Sequence, residues 1–535
     1  MRRLLSLIGL CAAMSCGENA VFGGDLAAEI AGAAGKETTI VIDQPTAVDT
    51  ALTVPRNITL EFKNSGRLDL AGSAKLEING KIQAGRTEIF TGNGKVYGRP
   101  QIEAVYPEWF GARKVDKGND APAIQKAINL ALNGTVYSIS GQWGEQAIPV
   151  DLGHFKYYLK NGVKGSLYLN LRGDNATLTN MNGFPGDAFA VTAELEKGKA
   201  PYPMAAAVQI SGIQFESFPN GIAIKTGNAD QSQVLISDCR FTSIGNGYFY
   251  KEKVYSKEFC SPEFKFGTAI YLDSQSSLNR IIGCRFSHCH RVLYLVRGDY
   301  TVMERAWITV RPIVQDEKIK SLRYSPIVVK GGYLIMRDVM GIPARRGSMT
   351  KIFGTPEGYP GYPEPKIDPS IIYANQAENA WIANFAAVYC ENVRFGGEYG
   401  GMAAVNNFAP ATLYRPWEVK LVNCLLRSEF NEPAVRLFAV PNLLEVKDCY
   451  GIFCYRFGRF SLNGKDYRFK IGKILEFAPS LTAEEKKKIF DPESIKNVSI
   501  HIGNNHNALG LSANDLKPNM APPELVPLIN REKMN

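Results

Sequence analysis

The chain has 535 residues, 61 Lys and Arg against 52 Asp and Glu, and a formal net charge of +9 at pH 7. This length is ample for a large core, and one elongated repeat domain can use most of it. The charge is mild, and the basic run Lys486–Lys488 is too short to mark a nucleic-acid contact. We therefore expect no nucleic-acid partner, whereas an acidic glycan is compatible with the charge.

The first 15 residues are typical of an export signal. Arg2 and Arg3 precede an apolar run, Leu4–Met14, that is too short to span a bilayer as a helix. Cys16 follows directly and is succeeded by Gly17, a pattern that resembles the cleavage box of bacterial lipoproteins. We expect an outer-membrane or periplasmic lipoprotein held to the membrane only by a lipid on Cys16. A secreted protein is the alternative.

Residues 37–104 alternate apolar and polar side chains in places, as in Ile58–Phe62 and Lys75–Ile78. Gly-rich bends such as Gly92–Gly94 separate the later stretches. Alternation with this punctuation is typical of half-buried strands. We expect three or four early coils or a small strand-rich cap.

A helix signature begins the next part of the chain. Asp120 can cap the first turn, Pro122 suits that turn, and Ile124 and Ile128 make one apolar face. Together with the Phe-Gly-Ala at 110–112 that ends the preceding strand, this pattern predicts a short strand, a bend and then a helix.

The same segment resembles the opening of a known superfamily. The Phe-Gly-Ala at 110–112, the bend at 116–120 and the Ala-Ile-Gln-x-Ala-Ile at 123–128 are similar to the start of the pectate-lyase-like right-handed parallel β-helix proteins. That group includes polysaccharide lyases and phage tailspike-type proteins, and the likeness continues through 148–178 and covers about residues 100–460. The bend here lacks the paired aspartates that the family normally carries. The resemblance implies an all-β, single-stranded right-handed solenoid whose N-terminal helix plugs one end.

A seven-residue pattern recurs between residues 209 and 451. Its fourth position is almost always a turn-forming residue and its fifth a small or aliphatic one: Gly212-Ile213, Asp238-Cys239, Gly283-Cys284, Arg305-Ala306, Asp338-Val339, Asn392-Val393, Asn423-Cys424 and Asp448-Cys449. A period of roughly 20–50 residues indicates one supersecondary unit stacked on itself. Asp, Asn and Gly suit a sharp bend because they tolerate left-handed backbone geometry. We predict a strand–bend–strand repeat whose fifth position is buried, the thiols there packing as small hydrophobes.

A third strand is expected after each strand–bend–strand unit, at Ile222–Lys225, Ile270–Asp273, Leu293–Leu295, Ile327–Lys330 and Val435–Leu437. Long insertions are predicted at 242–267 and 345–369, and such loops on a rigid scaffold often carry binding surfaces. A capping box formed by Thr482 and Glu485 predicts a short helix in the tail.

We expect a signal peptide at 1–15, the cap or early coils at 16–104, the β-helix at 105–475 and the tail at 476–535.

The outward positions of the third strands are the candidate functional site, because successive coils lie about 4.8 Å apart and side chains alternate along a strand. Ordinary solvated positions on a sheet are the alternative interpretation. Arg297 is one place out of phase and joins this face only if its strand has ended by then. The candidate catalytic residues are Lys330, Arg297, Tyr294 and Asp273, and the candidate substrate-binding residues are Lys225, Tyr271, His290, Arg291 and Arg436.

This composition favours a sugar polymer that bears carboxylates, since rings stack on sugar faces and guanidinium groups bind carboxylates in a bidentate way. Glycoside hydrolysis needs paired carboxylates and calcium-assisted elimination needs several around one ion, but only Asp273 is expected on this face. His288 and His290 could point the same way, yet no third ligand is evident, so we expect no metal and no cofactor.

The reaction that remains is metal-free β-elimination from a uronic acid. Arg297 or Lys330 would neutralise the substrate carboxylate, and a Lys, Tyr or His would take the C5 proton. We therefore expect an exported polysaccharide lyase acting on an acidic glycan. A non-catalytic glycan-binding or structural surface β-helix is the alternative, and a glycoside hydrolase is the third possibility.

Overall fold

The structure is a computed structural model, and it describes a large part of the chain in separate ranges. These are residues 20–22, 25–33, 35–113, 116–133, 147–194, 205–227, 231–245, 261–274, 278–310, 324–343, 378, 380–396, 402–413, 416–426, 433–451, 460–462, 465–467, 474–489, 498–503 and 506–507. The predicted signal, Cys16 and the insertion at 345–369 lie outside the described residues, and only the ends of the insertion at 242–267 lie inside them. None of the helices described is long and apolar enough to cross a membrane.

The chain divides into two compact units, one formed by Met1–Glu103 with Glu108–Gly111 and the other by Ala104–Pro107 with Ala112–Asn535. In the first unit, three parallel sheets have the strand orders β1-β2-β5-β8, β3-β6-β9 and β10-β7-β4, so each coil gives one strand to each sheet. Its elements are β1 (Ala20–Phe22), α1 (Leu26–Ala33), β2 (Thr38–Ile42), β3 (Pro45–Val48), β4 (Ala51–Val54), β5 (Ile58–Phe62), β6 (Arg67–Leu70), β7 (Lys75–Ile78), β8 (Lys81–Gln83), β9 (Phe90–Gly92) and β10 (Lys95–Gly98).

The second unit opens with the helix α2 (Ala121–Asn133). Ile124 and Ile128 are fully buried on its apolar face. The carboxylate of Asp120 accepts the backbone N–H groups of Arg113 and Tyr158, at 2.6 and 2.9 Å, and the Asn119 side chain accepts the N–H of Ala121. Asn119 therefore caps the first turn, and Asp120 ties that turn to the neighbouring chain.

Two long parallel sheets build the rest of this unit. The first has 20 strands: seven pairs on either side of the bends from Asp238 to Asp448, together with β11, β12, β14, β16, β41 and β42. Its elements are β11 (Val150–Asp151), β12 (Lys156–Leu159), β14 (Asn170–Asn180), β16 (Ala205–Glu216), β18 (Gln231–Ser237), β19 (Arg240–Thr242), β21 (Leu278–Ile282), β22 (Arg285–Cys289), β24 (Thr301–Glu304), β25 (Trp307–Val310), β27 (Tyr333–Arg337), β28 (Met340–Pro343), β30 (Ala387–Glu391), β31 (Arg394–Phe395), β33 (Glu418–Val422), β34 (Leu425–Leu426), β36 (Leu443–Lys447), β37 (Tyr450–Gly451), β41 (Ser499–Gly503) and β42 (His506–Asn507).

The second long sheet has ten strands and includes all five predicted third strands. Its elements are β13 (Val163–Gly165), β15 (Phe189–Glu194), β17 (Asn220–Lys225), β20 (Thr268–Asp273), β23 (Arg291–Arg297), β26 (Ile327–Val329), β29 (Ala380–Asn384), β32 (Ala403–Asn407), β35 (Val435–Leu437) and β40 (Leu475–Phe477). A small antiparallel pair, β38 (Phe460–Leu462) and β39 (Lys465–Tyr467), and the helix α3 (Ala483–Ile489) follow late in the chain. The stacked parallel sheets are compatible with a parallel β-helix.

The bends obey the sequence pattern at every repeat. All eight fourth-position residues have a positive φ, between 51° and 66°, and each of the eight fifth-position residues is at most 3% exposed. Inside the coils, the rings of Phe215, Phe241 and Phe286 stack at centroid distances of 5.0 and 5.1 Å. The column thiols are free and buried, as are Cys289 and Cys390. The core is thus a set of side-chain columns parallel to the stacking direction.

Arg305 is the bend residue whose chemistry fits its backbone least. It has φ of 51° and is exposed, and no ion pair with another described residue offsets the cost of the left-handed geometry. We expect Arg305→Asn to raise the free energy of unfolding by about 1 kcal/mol in a denaturant titration, because Asn tolerates this conformation. The matched change Arg280→Asn, within β21, should lower or preserve stability. A destabilised Arg305→Asn protein would contradict the role assigned to the bend.

Candidate functional site

The outer face of the ten-stranded sheet brings several candidate residues together. Tyr271 and Tyr294 lie opposite each other in register, and their rings stack at 5.8 Å with 15° between their planes. Val328 continues the same row on the next strand. The residues of these strands that were predicted to face outward therefore lie in one row.

A bulge in β23 places Arg297 on this face. Leu295 pairs with Leu272, but the register then shifts and Arg297 pairs with Asp273, which leaves Val296 as the extra residue. The strand does not end before Arg297, contrary to the condition that the sequence suggested. The extra residue in the bulge shifts the alternation by one position and so brings Arg297 onto the face of Asp273. Arg297 Nε lies 2.6 Å from Asp273 Oδ1.

Lys330 lies at the end of β26 and is largely covered. Its side chain is 18% exposed, its Nζ pairs with the Glu263 carboxylate, and it lies 3.5 Å from the ring centroid of Phe385. Burial lowers the pKa of Lys330, and the hydrogen bond and charge of Glu263 oppose that shift. The amine is therefore closer to its neutral form than a solvated lysine at the same pH.

Each of the three cations in this region has a carboxylate partner. Lys225 lies 3.8 Å from Glu194 and is in register with Asp273 on the next strand. Glu194 and Glu263 were not among the candidates, so the expectation that Asp273 would be the sole carboxylate on this face is wrong. A ligand carboxylate would have to compete with these side chains for Lys225, Arg297 and Lys330.

The two tyrosines are protonated donors near neutral pH. Tyr294 is 6% exposed, and burial raises its pKa to about 12. Burial also raises the pKa of the less covered Tyr271. Tyr294 packs with Val328 and Ala383 in an apolar cluster on the outer face, and Tyr271, Val296, Phe385 and Phe408 flank it. The outer face of the sheet is covered around Tyr294, whereas the Asp273 and Arg297 side chains, at the ends of their strands, are partly exposed.

The remaining candidates are held by other parts of the protein. Arg291 is fully buried; its guanidinium donates to the carbonyls of Phe264 and Ser261 and lies 5.6 Å from the Tyr294 ring centroid. His290 packs beside the Tyr324 ring, and its carbonyl accepts the Tyr324 hydroxyl. Arg291 thus ties the segment around Ser261–Phe264 to the sheet, and His290 contacts Tyr324 instead.

Arg436 lies at a distance from the other candidates. It is three strands beyond β26, which corresponds to roughly 14 Å. It is 3% exposed and donates to the Asn406 side chain at 3.2 Å. The structure therefore groups Asp273, Arg297, Tyr271, Tyr294, Lys225 and Lys330, and leaves Arg436 outside that group.

An aromatic column extends the site and was missed. Phe385, Phe408 and Phe438 follow their strands at the phase of Lys330 and stack at centroid distances of 4.5 and 4.2 Å. All three are half-buried. The repeated Asn-Phe at 384–385 and 407–408 is the sequence signal that could have revealed the column.

The residues described contain no group of three His, Cys, Asp or Glu side chains that could hold a metal ion. His288 has φ of 57°, so the segment that carries His288 and His290 is not uniformly extended as the sequence interpretation assumed.

No protein family, no curated protein and no solved structure matches the chain. The resemblance to the pectate-lyase-like superfamily therefore depends on the residues of the opening segment. The stacked parallel sheets are compatible with a parallel β-helix but do not identify a family.

Proposed function

We propose that the protein is an exported, lipid-anchored, right-handed parallel β-helix that cleaves a uronic-acid-containing polysaccharide by β-elimination. The observation that carries the proposal is the outer row of the ten-stranded sheet. There a largely covered lysine, an arginine and two stacked tyrosines lie on or directly after three successive strands, within roughly 10 Å along the stacking direction. In this proposal α2 plugs one end of the solenoid with its buried apolar face.

Arg297 is the residue suited to hold the substrate carboxylate. Its side chain is 42% exposed, and that of its present partner, Asp273, is 27% exposed. A carboxylate of the ligand could therefore reach Arg297 and replace Asp273. The exchange keeps the charge balance, and a guanidinium can bind a uronate in a bidentate way. Neutralising that carboxylate makes the C5 proton easier to remove.

Lys330 is the residue suited to take the C5 proton. Burial lowers its pKa, which increases the neutral fraction that can act as a base. The electron pair of the C5–H bond forms the C4–C5 double bond as the C4–O bond breaks. Tyr271, which is less covered than Tyr294 and keeps its proton because burial raises its pKa, suits the donor to the leaving oxygen, and Tyr294 stacks against its ring.

The direct test is ultraviolet absorbance from unsaturated uronate ends across a panel of acidic glycans. We expect the full chain to produce it on at least one glycan, and Lys330→Ala to reduce the rate about 10²–10⁴-fold, the usual contribution of a positioned base. Arg297→Gln should raise KM and also lower kcat, because Arg297 both holds the carboxylate and makes the C5 proton easier to remove. Lys447→Gln, an exposed lysine of β36 on the other sheet, is the control. Full activity in Lys330→Ala would refute the assignment of the base.

The pH dependence gives a second test. Glu263 raises the pKa of Lys330, so Glu263→Gln should lower that pKa further and move the rising limb of the pH–rate profile to lower pH. Glu194→Gln removes a carboxylate beside Lys225 instead and should leave this limb in place. A limb that moves to higher pH in Glu263→Gln, or stays where it is, contradicts Lys330 as the base.

A non-catalytic glycan-binding protein is the second candidate, and the pairing of Lys225, Arg297 and Lys330 with carboxylates favours it. Such pairs stabilise a surface without activating a base. Binding of an acidic glycan with no unsaturated product and no new reducing ends would support this function. New reducing ends without the absorbance would instead indicate hydrolysis, for which Asp273, Glu194 and Glu263 are the available carboxylates.

A further inference from the structure

A second row of cationic and aromatic side chains lies on a different face, formed by the short strands that follow the bends. In register on successive strands are Arg240, Arg285, Trp307, Met340 and Arg394, from β19, β22, β25, β28 and β31. Their neighbours in sequence, such as Phe241, Phe286 and Ile308, are buried, so the row points outward. We call it the arginine–tryptophan stripe; four strand steps make it about 19 Å long.

Among the described residues, no ion pair offsets the positive charge of the arginines in the stripe. Arg240 and Arg285 are exposed and directly opposite each other on neighbouring strands, an arrangement of like charges that destabilises a sheet. Within the described part of the chain, no carboxylate forms an ion pair with either of them or with Arg394. Glu216, outward on the adjoining β16, is paired with Lys156 at 2.8 Å. Unlike Lys225, Arg297 and Lys330 on the ten-stranded sheet, these arginines have no described carboxylate with which an anionic ligand would have to compete.

Trp307 is the aromatic member of the stripe. It is 46% exposed, whereas Trp109 and Trp381 are each 2% exposed. Its Nε1 donates to Thr309 Oγ1 at 3.0 Å, which fixes the orientation of the indole ring. A large oriented ring between an arginine and a methionine offers an apolar surface on which a sugar ring can stack.

A groove adjoins the far end of the stripe. It has a volume of about 400 Å³ and is bordered by Met340 and Arg394 together with the bend residues Asn392 and Asn423. Asp338 also borders it, and its carboxylate already accepts the Asn392 amide. The groove thus continues the stripe with amide groups suited to sugar hydroxyls.

We propose that the arginine–tryptophan stripe binds a linear anionic polysaccharide along its length. The arginines would hold carboxylate or sulfate groups, and Trp307 would stack on one sugar between them. Single-stranded nucleic acid fits less well, because its binding sites stack successive bases on several aromatic rings and the stripe has one ring among its described positions. The stripe lies on another sheet from the proposed catalytic face and does not depend on that activity.

The experiment measures binding of heparin, polygalacturonate and neutral dextran to the full chain. We expect the two anionic polymers to bind, dextran not to bind, and affinity to fall with added salt. Arg240→Gln with Arg285→Gln should weaken binding at least about tenfold, as lost charge-assisted hydrogen bonds predict. The double change Lys75→Gln with Lys81→Gln, two exposed lysines of the first unit, is the charge-matched control and should bind like the unaltered protein.

A site-specific readout is the quenching of tryptophan fluorescence by acrylamide. Bound glycan should protect the unaltered protein and fail to protect Trp307→Phe. Lys330→Ala with Arg297→Gln should retain the protection, which separates this proposal from the proposed lyase activity. Unchanged affinity in the double arginine variant, or equal protection in Trp307→Phe, overturns the stripe as the site. Tighter binding of single-stranded DNA or polyglutamate than of either anionic glycan overturns the polysaccharide as its ligand.

Discussion

Left-handed backbone geometry at the bends is the constraint on which the other features of the second unit depend. Each of the seven bend residues from Asp238 onward donates its backbone N–H to the following coil, as Asp238 does to Ile282 at 2.9 Å and Asn423 to Lys447 at 3.0 Å. A shift of one residue would turn every side chain of a strand to the opposite face. By repeating the bend at one place in each coil, the chain keeps thiols and aliphatic groups inside and the two candidate surfaces outside.

The same register has opposite electrostatic results on the two faces. On the ten-stranded sheet it places Glu194, Lys225, Asp273 and Arg297 in one row of alternating charge. On the short strands it places arginine beside arginine with no described carboxylate between them. Exposed ion pairs contribute little stability, so an external carboxylate can replace a partner on the first face at small cost. On the second face a ligand would remove an existing repulsion.

Much of the fold could be predicted because the bend residue and its buried neighbour are of distinct residue types. The bend at Arg305, an unusual residue there, could still be predicted from its spacing to the other bends. The strands β29 and β32 were missed because Asn384 and Asn407 occupy inward positions where an aliphatic residue was expected. Their buried amides bond each other at 2.9 Å, a compensation visible only when both coils are known. The outward orientation of Tyr271 and Asp273 could be predicted from the local alternation of apolar and polar residues. The bulge at Val296 and the pairing of Glu263 with Lys330, 67 residues apart, could not be predicted from local sequence.

The most direct test of the account is a crystal structure of the full chain with a bound uronate oligosaccharide. We expect a sugar chain that crosses the strands of the ten-stranded sheet, with one carboxylate bound to Arg297, Asp273 released from Arg297, and a C5 atom facing Lys330. An oligosaccharide bound away from this face, or one that leaves the Arg297–Asp273 pair intact, would contradict it.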